Sequence, residues 1–456
     1  MRRLSTLAAL PHSFMLEATP LAKVGLISLG CSKNRVDSEL MLAILRDAGH
    51  TLTADERKAE ILIVNTCGFI DPAKQESIDT LLALAEYKET GCCKLLVATG
   101  CLVQRYEETL REEMPEIDLF LGVGEYDKLP RAIEEAMAGE RPSYTKLNEQ
   151  VLCGDRVLTT PPYTAYIRIA DGCDNRCTYC AIPLIRGGFR SREMEDVLGE
   201  IADLAAKGVR EHVLIAQDTS RFGMDTHGRS LLPELMTRAA DIPGVEWLRV
   251  LYTYPDEVDD ELLRAMASRP NICRYLDLPL QHANPEILKR MNRRGDIEKT
   301  RQLLKKARDM GFILRTTFIT GFPGETEEQF EELMDFIEDV RFDRLGAFAY
   351  SPEDETPAAE MDGQIDEDIK EARLDRLMTA QQAISLERNE SRVGEETMVL
   401  VENVRGDGTG TGRSWAEAPE TDGVILLSGV DENDIGTFVR ARITEARTYD
   451  LLGVKL

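Results

Sequence analysis

The sequence predicts an α/β protein built from three successive units: a parallel-sheet amino-terminal domain, an open βα barrel and a small carboxyl-terminal β-barrel. Three observations predict it. Through residue 140, short continuous apolar runs alternate with helical stretches, the texture of strands that crossover helices bury on both faces. From 164 to 388 further strand-like runs alternate with helices, and from 392 short β runs separated by glycine- and aspartate-rich turns replace them.

In the first unit, Val24-Gly25-Leu26-Ile27-Ser28-Leu29-Gly30 leads to Cys31, Ile61-Leu62-Ile63-Val64-Asn65-Thr66 to Cys67, and Leu95-Leu96-Val97-Ala98-Thr99-Gly100 to Cys101. Between them, Asp37 opens a helix carrying Leu40, Ile44, Leu45 and Ala48 before Gly49, and Asp71-Pro72 opens another that ends at Gly91. Strand, helix, strand, helix reads as a Rossmann-like parallel sheet over 23–140. Ligands of such sheets gather at the carboxyl ends of the strands, where all three cysteines fall. A three-thiolate cluster is the expectation.

A second triplet, Cys173-Asp-Asn-Arg-Cys177-Thr-Tyr-Cys180, has CxxxCxxC spacing and no fourth cysteine nearby. Zinc ribbons pair two CxxC units, and bacterial ferredoxins string four cysteines. Three thiolates on an iron–sulfur cube leave one iron open, and an open coordination position marks a catalytic metal. The triplet belongs to the unit 164–388, whose runs at 166–169, 212–216, 248–252, 275–278, 315–319 and 346–350 give six barrel strands with ligands expected at their carboxyl ends. Gln217 and Asp218 close the second strand, and Gly321-Phe322-Pro323-Gly324 the fifth. A loose stretch at 141–163, with Thr159-Thr160-Pro161-Pro162, reads as a linker. A helix near 367–388 connects to the final unit, 392–456, whose runs at 398–401, 423–427 and 437–443 predict a small β-barrel.

Cys92, Cys93, Cys153 and Cys273 lack the strand-end placement and are expected to be ordinary buried cysteines. Disulfides are not expected, since 456 residues supply a core without staples and open clusters require a reducing compartment. Residues 1–22 read as a disordered extension: Pro11 cuts its apolar run short, and Met15 is an alternative start. No run of 18 apolar residues exists, so the expectation is a cytoplasmic protein without membrane contact.

Charge bounds the partner. Lys and Arg number 55 against 81 Asp and Glu, a net charge of −26, the opposite of the basic footprint with which proteins hold phosphates. Residues 392–456 carry seven basic and twelve acidic residues, a balance suited to a basic protein partner.

CxxxCxxC resembles the radical S-adenosylmethionine (SAM) superfamily. That resemblance implies SAM bound by its amino and carboxylate groups to the open iron, Tyr179 against the adenine, and Gln217, Asp218, Gly321 and Gly324 at the strand ends that hold SAM. Two triplets in this order resemble the methylthiotransferase family of that superfamily, across Lys23–Leu456. The matching segments are Ser-Leu-Gly-Cys-Ser-Lys-Asn-Arg-Val-Asp-Ser-Glu, Asn-Thr-Cys-Gly-Phe-Ile, Ala-Thr-Gly-Cys-Leu, Arg-Gly-Gly-Phe-Arg-Ser-Arg, Ala-Gln-Asp-Thr-Ser-Arg-Phe-Gly, Tyr-Leu-Asp-Leu-Pro-Leu-Gln-His and Phe-Ile-Thr-Gly-Phe-Pro-Gly-Glu-Thr. The last unit resembles a TRAM domain. By this resemblance Cys173, Cys177 and Cys180 bind the 4Fe–4S cluster that cleaves SAM to a 5′-deoxyadenosyl radical. Cys31, Cys67 and Cys101 bind a second 4Fe–4S cluster that presents methylated sulfur to a carbon radical. An electron-donor protein and a sulfur source are implied partners. The family has branches acting on tRNA adenosine and one acting on an aspartate of small-subunit ribosomal protein 12. The wording around Cys31, the segments Tyr254-Pro255-Asp256 and Gly412-Arg413-Ser414, and the acidity favour the ribosomal-protein branch, with nucleic acid not the primary substrate; tRNA adenosine is the alternative.

Overall fold

The computed structural model of the chain describes residues 21–147 and 151–456. The extension expected over residues 1–22 lies outside the described residues except for Leu21 and Ala22. The amino-terminal sheet has six parallel strands in the order Thr51–Leu52, Lys23–Ser28, Ile61–Thr66, Leu95–Gly100, Leu119–Leu121 and Ser143–Tyr144. Its two central strands, Ile61–Thr66 and Leu95–Gly100, are buried at every residue, because helices cover both faces. Met41 and Leu45 of helix Ser32–Asp47 and Leu129, Ala132 and Ile133 of helix Leu129–Met137 pack on one face. Leu81 and Leu84 of Asp71–Ala85 and Leu102, Val103 and Leu110 of Cys101–Glu113 pack on the other.

Three boundaries differ from expectation. The first helix starts at Ser32, directly after Cys31, because Asp37 is not a cap but a buried acceptor inside the helix. The second is two helices, Asp71–Ala85 and Tyr87–Thr90. The expected linker begins by adding the edge strand Ser143–Tyr144, and its Arg156 is buried, reaching Glu39 at 3.2 Å and the carbonyl of Tyr166 at 2.8 Å.

Six parallel barrel strands follow: Thr164–Arg168, Glu211–Ile215 and Trp247–Val250 in one sheet, Tyr275–Asp277, Ile313–Thr320 and Arg344–Ala349 in another. The bridge Leu248–Ile272 links the two halves, while the first and last strands, Thr164–Arg168 and Arg344–Ala349, do not pair with each other, so the barrel is open. Ala165, Ile167 and Leu214 pack outward with helices such as Met194–Ala206 and Leu232–Ala240. Tyr166, Val213 and Ile215 belong to a separate cluster with Val36 and Leu40 of the first domain and Leu400 and Ala418 of the last. Helix Glu367–Glu390, expected as a connector, adds Leu377 and Ile384 to the barrel's outer core.

The carboxyl-terminal strands Glu396–Val404, Thr409–Arg413, Ile425–Ser428, Phe438–Ala446 and Leu451–Lys455 close a five-stranded barrel. Buried ion pairs fasten it: Glu211, fully buried, accepts from Arg413 at 2.7 Å and from Arg249 at 3.2 Å, and Arg344 pairs with Glu417 at 3.2 Å. Burial alone would raise the Glu211 carboxyl, but the two guanidiniums outweigh it and hold it at about 2. Among the described residues no helix is long and apolar enough to cross a membrane. All ten cysteines are free; Cys93 and Cys273 are buried as expected, whereas Cys92 and Cys153 are exposed, because one lies on a tight turn and the other in the segment between domains.

Candidate active site

Three strands of the amino-terminal sheet deliver their carboxyl ends to one place. Lys23–Ser28 runs through Leu29-Gly30 to Cys31, at the N-cap of helix Ser32–Asp47. Ile61–Thr66 ends on Cys67, and Leu95–Gly100 on Cys101, the first residue of its helix. Parallel register sets Thr66 opposite Gly100, so Cys67 and Cys101 emerge side by side. Gly30 and Gly100 both have positive φ, +84° and +96°. A Cβ on Gly30 would stand 3.0 Å from the Cys67 sulfur, and one on Gly100 would collide with Asn65 Oδ1 and the Thr66 carbonyl. Asn34 ties these loops together, its Nδ2 donating to the carbonyls of Leu29 and Thr66, both at 3.0 Å.

Burial raises the Cys67 thiol, and raises that of Cys101 to about 12 against the opposing pull of Arg186; Cys31 and Cys67 add to the rise at Cys101. Thiols so placed are neutral alone and become thiolates on binding metal. The donor set therefore fits a three-thiolate iron–sulfur cluster. Among the described residues no three His, Cys, Asp or Glu side chains converge as ligands of one mononuclear ion would; a cube distributes its irons over separate thiolates.

The second triplet lies in the loop between the short paired strands Ala170–Asp171 and Arg190–Ser191, beyond the first barrel strand. A Cβ on Gly172 would overlap the Gly188 carbonyl, and Cys173 N donates to the Gly187 carbonyl at 3.1 Å, so Gly187-Gly188 serves to close this loop. Burial raises Cys173 to about 11 and Cys180 further. Arg293, 9% exposed, places Nη1 3.8 Å from the Cys177 sulfur and 3.3 Å from the Tyr179 hydroxyl, with its guanidinium over the Tyr254 ring. Burial would lower the Arg293 pKa, but Tyr179 and Cys177 outweigh it, so the cation persists. These residues too fit a three-thiolate cluster.

The remaining expected site residues divide. Gln217 donates to Asp171 Oδ1 at 3.0 Å and leaves its Oε1 buried without a partner among the described residues. Asp218, 1% exposed, accepts from Asn175 Nδ2 at 2.8 Å, and burial raises its carboxyl. Both stand at the end of Glu211–Ile215, beside the triplet loop. At Gly321 and Gly324 the space of the absent Cβ atoms is taken by Lys370 and by the Arg290 guanidinium. Their turn seats Phe322 in the apolar cluster that Tyr179 packs against.

Sequence reasoning missed Arg186, although it opens the quoted Arg-Gly-Gly-Phe-Arg-Ser-Arg. At 2% exposure its guanidinium donates to Asn34 Oδ1 at 2.9 Å, Asp37 Oδ2 at 2.8 Å and Asp171 Oδ1 at 3.2 Å, and lies 4.0 Å from the Cys101 sulfur. Arg168 also pairs with Asp37. Arg105 was missed as well; it holds the Gly68 carbonyl at 3.0 Å and Glu353 of the barrel at 2.9 Å. Lone arginines carry no sequence signal for such work.

One cavity of about 730 Å³ is lined by residues adjacent in sequence to both triplets. Phe69 and Ile70, just past Cys67, line one side, and Tyr179, from between Cys177 and Cys180, lines it with Gln281, Ile319 and Phe348 of the barrel.

Comparisons with known proteins agree with this layout. Residues 167–337 match the family model described as the radical SAM superfamily, 23–122 an uncharacterized family designated UPF0004, and 393–455 the TRAM domain. The structure of the radical SAM methyltransferase TsrM from Kitasatospora setae, 16% identical, superposes with a TM-score of 0.56 over 86% of this chain and 80% of that one, a likeness of fold. Proteins named ribosomal protein uS12 methylthiotransferase from Desulforamulus reducens and Pelotomaculum thermopropionicum are 50% and 49% identical, over 95% and 94% of this chain and 99% and 98% of their own. The one from Clostridioides difficile is 47% identical over 95% of this chain and 98% of its own. Identity at that level, over nearly the whole length of both chains, places the chain in the uS12 methylthiotransferase family of radical SAM enzymes.

Proposed function

We propose that this chain adds a methylthio group to the β-carbon of an aspartate in the small-subunit ribosomal protein uS12, with Cys173, Cys177 and Cys180 holding one 4Fe–4S cluster and Cys31, Cys67 and Cys101 the other. The observation that carries the reading is the shared cavity: Phe69 and Tyr179, neighbours in sequence of the two triplets, line the same space. When bound, the clusters and SAM supply the one-electron chemistry that activates a C–H bond and the sulfur that replaces the hydrogen.

The protein's own part is placement, and small misplacements are costly in such reactions. Arg186 and Arg105 fasten the amino-terminal loops to the barrel, the first through Asn34 and Asp37, the second through Gly68. Arg293 orients Tyr179 and offsets charge at Cys177. Gln217 offers SAM its unpartnered Oε1, and Asp218, held by Asn175, stands beside it as the second polar contact. Phe69, Phe348 and Ile319 give the cavity apolar surface that a docked substrate would cover.

The test is anaerobic incubation of reconstituted protein with SAM, a reductant and either uS12 or unmodified tRNA, followed by mass spectrometry. A methylthio mass on the uS12 aspartate is expected. Its appearance on tRNA alone would refute the substrate assignment.

A further inference from the structure

Lys33 stands two residues beyond Cys31, at the start of helix Ser32–Asp47. It is 6% exposed, yet among the described residues it has neither an ion pair nor a hydrogen bond; its Nζ lies 2.8 Å from the centroid of the Tyr252 ring. Buried lysines are ordinarily paired, because removing an ammonium from water is offset only by a nearby negative charge. An aromatic face repays part of that cost, not all of it. Tyr252 is itself a built feature. It follows the barrel strand Trp247–Val250 with φ +63°, a strained value for a residue with a side chain. Its N–H is held by Asp277 at 2.8 Å, and its carbonyl accepts from Thr219, next to Asp218, at 2.9 Å. A lysine largely covered by the protein, its ammonium meeting an aromatic face and no anion, is thus carried from the loop of the first triplet onto the barrel mouth.

We propose that Lys33, seated on Tyr252, receives the side-chain carboxylate of the aspartate being modified, and so determines specificity for an acidic residue. This rests on the proposed function. In that reaction the reacting β-carbon is bonded directly to the carboxylate carbon and must come between the two cysteine sites. The carboxylate is then taken out of water beside it and needs a cation that reaches across the same junction. SAM's carboxylate is accounted for at the other triplet. Lys33 makes the carboxylate's burial favourable and fixes which face of the β-carbon turns toward Cys31 and its neighbours. As a positioning residue it exchanges no proton or electron.

The experiment measures binding without turnover. Fluorescence anisotropy gives Kd for two peptides spanning the target loop of uS12, one with the native aspartate and one with asparagine there, using reconstituted protein without reductant. Wild type should prefer the aspartate peptide by about tenfold or more, as for a charge-assisted pair out of water. Lys33→Met and Lys33→Gln should bring that ratio close to one by weakening only the aspartate peptide, and Lys33→Arg should recover much of it. Iron content and circular dichroism identify a variant that failed to fold, in which case Lys33→Arg against wild type carries the comparison with an asparagine and a glutamate peptide. An unchanged ratio in Lys33→Met, or no preference in wild type, would overturn the proposal. So would an altered paramagnetic spectrum of the amino-terminal cluster with the ratio intact, since Lys33 would then serve the cluster. If wild type modifies no uS12 at all, the function itself is wrong, a result seen before any variant is made.

Discussion

Arg186 is the side chain through which the two cysteine sites meet, and its surroundings show how much rests on single residues. Burial would strip its proton, but Asp171 and Asp37 outweigh it, so the guanidinium is a permanent cation. Arg186→Leu leaves two buried carboxylates sharing one guanidinium, that of Arg168, and should cost about 3 kcal/mol, read as a lowered urea midpoint. Arg186→Lys keeps the charge without the fork and should raise the amount of 5′-deoxyadenosine formed per methylthio product, measured by chromatography of single reactions. Cys177→Ala should abolish 5′-deoxyadenosine formation, whereas Cys67→Ala should spare it and stop sulfur transfer; parallel loss in both would contradict separate roles. At this scale the sequence was legible where chemistry dictates residue type. Six cysteines at strand ends and in a tight triplet announce themselves. Asn34, Asp37, Arg105, Arg186 and Arg293 do not, since polar side chains become part of a site only when folding brings partners from distant segments, 152 positions apart for Asn34 and Arg186.

Elements set the precision with which those residues arrive. The turn from strand Leu95–Gly100 into helix Cys101–Glu113 has no room for a side chain at Gly100, whose φ is +96°. Gly100→Ala should therefore displace Cys101 and deplete the iron of the amino-terminal cluster while the barrel cluster remains, a difference resolved by iron analysis and visible absorption. With ψ −156° this is backbone that essentially only glycine adopts, and the strain of a Cβ there, about 1–3 kcal/mol, should lower the melting temperature as well. All six barrel strands fall within two residues of their expected positions; the first four are buried at every residue, whereas Ile313–Thr320 alternates and Arg344–Ala349 is mostly half-buried. Thr409–Arg413 printed no apolar run: its Gly410 and Gly412 lie where the carbonyls of Asn403 and Leu400 crowd the absent Cβ positions, so packing demanded glycine where a pattern search wants valine. The first helix was placed five residues late because Asp37 has the chemistry of a cap and was spent on an ion pair.

Across the whole molecule, the acidic last domain carries two kinds of carboxylate. Glu417 is buried against Arg344 and Arg392, while Asp407, Glu432 and Glu445 are exposed. Only the second kind can guide a basic partner, so replacing those three by Asn, Gln and Gln should weaken uS12 binding at low salt and flatten its salt dependence. Deleting residues 392–456 is a poor probe of docking, because it strands Glu211 and Arg249 without Arg413. Acid should part the domains. Burial pushes Glu211 and Glu417 up, but their arginines hold both at about 2. Both carboxylates thus contribute fully above the ordinary glutamate value of about 4.3 and lose that contribution as pH falls towards 2; Glu211→Gln should lessen that loss in an acid titration followed by near-ultraviolet dichroism. The proposed function depends on two three-cysteine sites that each hold a cluster of their own. Mössbauer spectroscopy of anaerobically reconstituted protein tests this most directly. Two cubanes per chain are expected in wild type, with one remaining when Cys31, Cys67 and Cys101 are replaced by alanine and the other when Cys173, Cys177 and Cys180 are. A single cubane in wild type, or one that survives both triple replacements, would contradict the account.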